Sequence, residues 1–256
     1  MMRENPLKAK LKAGQTMVGA FHPIPAPGVV EIYGLVGFDF VIVDAEHGPA
    51  SIETLEAQVR AADAVNLPVV VRVAENTPQN ILRHLDTGVL GVQLPMVNTA
   101  EQARAVVAAV KYPPVGRRGL AGVRANGYGL LGSLGDYTRL ANANLLVSVQ
   151  VETPEAIDHL DEILKVDGID LVFIGPNDLA TTLGYPGESA HPKVLEVIDG
   201  LVKRIHAAGR ASGITAYDSA GIARAKSWKI QFILGGTLPL LIGASRSYLK
   251  EVRDGA

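Results

Sequence analysis

Eight short apolar runs, rich in β-branched residues and separated by longer amphipathic stretches, constrain this chain more than any other feature of its sequence. They are Met17–Phe21, Phe40–Asp44, Val69–Val73, Gly91–Pro95, Leu145–Glu152, Leu171–Gly175, Ala211–Ala216 and Phe232–Gly235. Several are apolar at consecutive positions, as strands covered on both faces must be. The intervening segments carry helix signals. Ser51 precedes Ile52–Val65, Thr77-Pro78 opens the next segment, and Thr99 precedes Ala100–Val110. Thr153-Pro154 leads into Glu155–Lys165, and His191-Pro192 into a long helix ending near Gly209. A capping hydroxyl followed by proline at the first helical position satisfies the free amides of a helix start. Strand and helix alternating eight times predict a closed parallel (β/α)8 TIM barrel, with residues 1–256 as one domain. One segment breaks the rhythm: Tyr112–Asp136 is rich in Gly, Pro and Arg, and a loop of that length usually serves a site or an interface.

Composition narrows the function classes. Apolar residues make up 48% of the chain and charged residues 20%, enough to bury a large core. The formal charge is −2 and no long basic run exists, which argues against nucleic acid and anionic membrane as partners. No apolar run is long enough to span a bilayer, and the charged segment Met1–Leu11 lacks the apolar core of a signal peptide. A cytoplasmic protein is expected. Absence of cysteine removes disulfides, thiolate metal sites and cysteine nucleophiles together. Neither a dinucleotide fingerprint nor a phosphate-loop lysine motif is present.

On such a barrel the unusual polar residues gather at the C-terminal ends of the strands, where barrel enzymes keep their chemistry. Asp44, Glu46 and His47 follow the second strand, Arg72 sits among valines in the third, Glu152 ends the fifth and Asp178 follows the sixth. Each alone has a structural explanation, as buried ion pair, loop acid or turn cap; their coincidence at one mouth favours function. Glu152 and Asp178 are hard oxygen ligands suited to Mg²⁺, Mn²⁺ or Co²⁺. A metal held by two carboxylates keeps positions open for a 2-oxo acid and can act as a Lewis acid toward its enolate. Arg72 adds a fixed positive charge at the developing oxygen. His47 can move a proton near neutrality, with Asp86 or Asp44 as candidates to orient it.

The segments GFDFVIVDAEHG (Gly37–Gly48), PVVVRV (Pro68–Val73), LPMVNTAEQAR (Leu94–Arg104), YPPVGRRG (Tyr112–Gly119), VQVET (Val149–Thr153) and GPNDLA (Gly175–Ala180) together resemble the HpcH/HpaI aldolase family of metal-dependent pyruvate aldolases. The resemblance implies Glu152 and Asp178 as metal ligands, Arg72 as the enolate-stabilising arginine and His47 with Asp86 as the acid–base pair. It places Gly175, Pro176 and Asn177 around the carboxylate of pyruvate. Asp44 is counted with this substrate-binding group, as is Phe21, which stands where close relatives carry a tryptophan. Reversible cleavage of a 4-hydroxy-2-oxo acid into a 2-oxo acid and an aldehyde is the implied reaction, in a homo-oligomer, typically a hexamer built as a trimer of dimers. The alternatives are a citrate-lyase-like enzyme acting on a CoA thioester, or a non-catalytic barrel that binds a keto acid. The segment SWKIQFILGGTLPLL departs from the family pattern.

Overall fold

Each of the eight apolar runs forms a strand in the computed structural model, which describes residues 4–254. Residues 1–3, the beginning of the charged N-terminal segment, and residues 255–256 lie outside the described part. The strands are β1 (Met17–His22), β2 (Phe40–Asp44), β3 (Val69–Arg72), β4 (Gly91–Leu94), β5 (Leu146–Val151), β6 (Leu171–Ile174), β7 (Ala211–Thr215) and β8 (Phe232–Gly236). All neighbours are parallel, and β8 pairs with β1 to close the barrel. The helices are α1 (Pro6–Lys12), α2 (Pro27–Val36), α3 (Ile52–Ala64), α4 (Pro78–Asp86), α5 (Ala100–Val110) and α6 (Leu134–Asn144). They continue with α7 (Pro154–Asp158), α8 (Leu160–Ile163), α9 (Pro176–Thr182), α10 (Pro192–Ala207), α11 (Ser219–Ser227) and α12 (Thr237–Asp254).

The side chains sort into two cores because successive residues of a strand face opposite sides of the sheet. Val41 and Val43 of β2, and Val69 and Val71 of β3, join the layer between sheet and helices. Phe40, Ile42, Val70, Leu146, Leu171, Phe173 and Phe232 fill the barrel itself. Leu7 and Leu11 of α1 belong to that inner cluster, so α1 plugs the end where the strands begin. Phe40 and Phe232 stack at 3.9 Å, and Phe40 presses against Gly19, where a Cβ would collide with the ring. Bulk at the base is thereby matched by a missing side chain on the neighbouring strand, where Gly19 is the register partner of Phe40. Continuing the same alternation upward carries Asp44, Arg72, Gln150, Glu152 and Gly175 onto the inner face at the mouth.

The helix starts agree with the capping signals. Ser51, Thr77, Thr99 and Thr153 each accept an amide from the first turn of the helix that follows. One expected helix is divided: Glu155–Lys165 becomes α7 and α8, separated at His159, whose ring contacts Asn98 O at 3.2 Å. Tyr112–Asp136 is not structureless throughout; it contains a 3-10 turn over Arg124–Gly129 and the first turn of α6. Arg124 ties this segment to the base of the barrel by donating to Thr87 O and to Asp63. Every residue of α12 after Thr237 is exposed, including Leu240, Leu241, Tyr248 and Val252. Among the described residues, no helix is long and apolar enough to cross a membrane.

A buried polar knot secures the seam between β1 and α12. The Thr237 hydroxyl donates to Phe21 O and accepts from the Tyr33 hydroxyl. His22 Nδ1 lies 2.9 Å from the same oxygen. With the hydroxyl proton already committed, Nδ1 must be a protonated, donating nitrogen. Burial pushes the His22 pKa from 6.5 down to about 4. The native state therefore binds fewer protons than the unfolded chain, and this contribution to stability is complete above pH 6.5 and lost as pH falls toward 4. Urea denaturation from pH 7 to pH 4 should show a loss from this group of about 3 kcal/mol. A His22→Gln variant should lose correspondingly less over the same interval.

Candidate active site

At the mouth, a cavity of about 370 Å³ is lined by Phe21, Asp44, His47, Arg72, Gly175, Pro176, Asn177 and Asp178, together with Gln150 and Tyr217. Arg72 is the fixed point of this group. Its Nε and Nη2 donate to the two oxygens of Asp44 at 2.9 and 2.7 Å, and Nη1 lies 3.0 Å from Glu46 Oε2. The guanidinium rests over the Phe21 ring, 4.5 Å from its centroid. Burial works against its charge, but the Asp44 hydrogen bonds and the charges of Asp44, Glu46 and Glu152 outweigh it and hold the Arg72 pKa above its ordinary value. Asp44 makes no hydrogen bond to the His47 ring among the described residues. Its Oδ1 instead accepts the backbone N–H groups of Glu46 (3.1 Å) and His47 (3.3 Å), fixing the turn that carries both side chains.

Glu152 is almost wholly buried, at 2% exposure. Met96 N–H donates to Oε1 at 2.8 Å and Gln150 Nε2 to Oε2 at 2.6 Å. Gln150 is held in turn by Gln93 Nε2 at 2.5 Å. Met96 adopts φ 53°, a left-handed conformation that a non-glycine residue keeps at some cost and that aims its amide at the carboxylate. Burial pushes the Glu152 pKa up; the Met96 and Gln150 hydrogen bonds oppose this, while the charges of Asp178 and Glu46 reinforce it. Gly175 stands over the carboxylate so closely that a Cβ there would lie 2.5 Å from Glu152 Oε2. Asp178 is exposed in the first turn of α9 rather than capping a turn, since Gly175 is the residue at the helix cap.

Glu152 and Asp178 are both hard oxygen donors, and the charge of Asp178 acts on the Glu152 carboxyl. No group of three His, Cys, Asp or Glu side chains assembles there or elsewhere among the described residues, so an ion held by Glu152 and Asp178 would keep most of its coordination positions open.

His47 is exposed at the cavity edge, and its ring has no hydrogen-bond partner among the described residues. Asp86 is not beside it. As the last residue of α4, a helix running antiparallel to the strands, Asp86 sits at the end where strands begin and accepts from Arg118 Nη2 at 2.7 Å. Attention to charged groups alone misses Gln150 and Gln93. The signal for Gln150 is legible, because Ser148, Gln150 and Glu152 recur at every second position of LVSVQVE and must share a face. Tyr217, Thr215 and Leu238 also line the cavity, without a sequence signal of their own.

A sequence model of the HpcH/HpaI aldolase/citrate lyase family matches residues 17–232. The 2-keto-3-deoxy-L-rhamnonate aldolase of Salmonella gallinarum is 38% identical over 237 residues, covering 93% of this chain and 88% of that protein. The crystal structure of an HpcH/HpaI aldolase/citrate lyase family protein from Burkholderia cenocepacia superposes with a TM-score of 0.92 at 32% identity, covering 97% of this chain and 99% of that one. The citrate synthase SbnG superposes with a TM-score of 0.84 at 28% identity, covering 97% and 98%.

The Asp44–Arg72 contact can be tested without an activity assay. Asp44→Ala leaves a buried guanidinium with only Glu46 and should lower stability by on the order of 3 kcal/mol. Asp44→Ala with Arg72→Met should recover most of that loss, as measured by urea denaturation.

Proposed function

The chain belongs to the HpcH/HpaI aldolase/citrate lyase family, and from that premise we propose that it reversibly cleaves a 4-hydroxy-2-oxo acid into pyruvate, or a close 2-oxo acid such as hydroxypyruvate, and an aldehyde. The observation that carries this reading is the make-up of the mouth: a permanently charged guanidinium, Asp178 in the cavity lining, the buried Glu152 close enough for its charge to act on Arg72, and no lysine in the lining. Activation of the carbonyl as a Schiff base would require that lysine. Glu152 and Asp178 would hold a divalent ion, Mg²⁺, Mn²⁺ or Co²⁺, which supplies Lewis-acid polarisation of the 2-oxo acid when bound.

The chain's own residues account for the remaining steps. Arg72, clamped by Asp44, presents positive charge to the C2 oxygen as electrons from the breaking C3–C4 bond move onto it. His47 takes the proton of the C4 hydroxyl as the aldehyde forms, and returns it in the synthetic direction. Protonation of C3 then gives the methyl group of pyruvate. Pro176 and Asn177 at the start of α9 border the space for the substrate carboxylate, with Phe21 opposite as part of the wall beneath Arg72.

A partner for His47 would come from a second copy, with Asp86 as the candidate, because a single chain keeps these residues at opposite ends. The apolar residues exposed along α12 support a homo-oligomer, which we read as a hexamer assembled from dimers in the cytoplasm.

Exchange of pyruvate methyl protons with D₂O, followed by NMR, tests enolisation without knowledge of the aldehyde. Exchange should vanish with chelator, return with Mg²⁺ or Mn²⁺, and fall by about 10²–10³-fold in Arg72→Ala. Arg72→Lys, which keeps the charge without the bidentate fork, should lie between. Borohydride with pyruvate should not trap the protein covalently. Absence of exchange with any ion, together with cleavage of a CoA thioester, would replace this reading with the citrate-lyase-like one.

A further inference from the structure

The cavity at the mouth is not the largest. Where β6, β7 and β8 begin, a cleft of about 530 Å³ opens beside α1. It is lined by Lys8, Lys12, His206, Arg210 and Lys229, against one carboxylate, Asp170. That carboxylate is committed: Lys8 Nζ lies 2.8 Å from its Oδ1, and Val147 N–H donates to Oδ2. Arg210 is pinned by donating to Leu164 O, Ile169 O and Val166 O at 3.1, 2.9 and 3.1 Å. Those carbonyls fix its position without cancelling its charge. Arg210, Lys12 and Lys229 have no ion-pair partner among the described residues. Uncompensated cations are thus concentrated in one cleft of a chain whose formal charge is −2.

Basic residues at helix C-termini ordinarily answer the helix dipole, and Lys12 in the last turn of α1 does so. Lys229 is different. It lies past the end of α11 with φ 54°, in the left-handed region that glycine favours at this position. Two other helix ends at the same cleft follow that preference, with Gly14 (φ 68°) after α1 and Gly209 (φ 69°) after α10. A Cβ at either glycine would meet nothing within 4 Å. Backbone geometry therefore gives no reason for lysine at 229. Lys229 lines the cleft, and its charge adds to burial in lowering the pKa of His206 there.

We propose that this cleft binds a compact phosphate-type anion carrying two or more negative charges, either free inorganic polyphosphate or the phosphate groups of a small bisphosphorylated metabolite. Fixed guanidinium and mobile ammonium groups together match the several oxygens and spread charge of such an anion. The site is at the end of the barrel remote from the chemistry, so it does not depend on the proposed aldolase reaction.

The test titrates inorganic pyrophosphate and fructose 1,6-bisphosphate into the full-length protein at constant ionic strength, both as purified and after chelation. Binding is followed by calorimetry and thermal unfolding. Saturable binding is expected, with Tm raised by roughly 5–10 °C at a ligand concentration a hundred times the dissociation constant. Tighter binding of pyrophosphate identifies the free ion, and tighter binding of the bisphosphate a metabolite. Lys12→Gln with Lys229→Gly should weaken binding at least ten-fold. Lys229→Gly alone should match or exceed the parent Tm, because glycine suits φ 54°, so lost binding would not reflect a damaged fold. No saturable binding of either anion, or unchanged binding in the double variant, overturns the proposal. So does loss of binding in Arg72→Ala, which would put the anion at the mouth.

Discussion

The two-pronged contact between Asp44 and Arg72 joins neighbouring strands at the level where the barrel stops being a hydrocarbon interior. Asp44 and Arg72 are partners in the β2–β3 register, so the pair follows from strand alignment and needs no loop to bring it together. Below it lie Ile42, Val70 and Phe21, and above it the open cavity. A guanidinium at that depth is tolerable only while a carboxylate faces it, since the attraction must offset the loss of water. The same carboxylate holds the amides of Glu46 and His47. One side chain therefore sets the arginine's direction, keeps it charged and shapes the turn that brings the histidine to the rim.

The carboxylate on the other side of the mouth is organised differently. Glu152 is positioned by neutral donors: a backbone amide from a strained residue, and a side-chain amide supported by a second amide. Neutral donors orient a carboxylate without neutralising it, so its charge remains available to a cation. Arg72, by contrast, already has its counter-charges in Asp44 and Glu46. The cavity thus sets a charged, ion-paired guanidinium on one side against a carboxylate held only by neutral donors on the other.

Sequence reading recovered the strands and most helix starts because buried parallel strands are apolar at consecutive positions, and capping hydroxyls are local signals. It placed Asp44, His47, Arg72, Glu152 and Asp178 at one mouth for the same reason, each lying at or just past the C-terminal end of an apolar strand. Other features were less legible. Asp86 is a candidate partner for His47 on sequence and on family resemblance alike; its position at the end of α4 sends it to the opposite face. The role of Asp44 as clamp for Arg72 depends on strand register, which no single segment encodes. The division of the expected helix at His159 involves the carbonyl of Asn98, far away in sequence. The helix over Thr237–Asp254 was hidden because nearly all its side chains are exposed, leaving no buried face to impose a periodic pattern.

Gly175 has a genetic meaning that its backbone does not suggest. Its φ of −88° and ψ of 93° are open to any amino acid, so the demand for glycine is spatial, set by the Glu152 oxygen where a side chain would begin. Every missense change at a glycine codon adds at least a Cβ, and every such change here pushes against the same carboxylate. A chemically graded series of replacements is therefore closed to this position. In a library of variants it would read as a step, with every replacement on the same side of it.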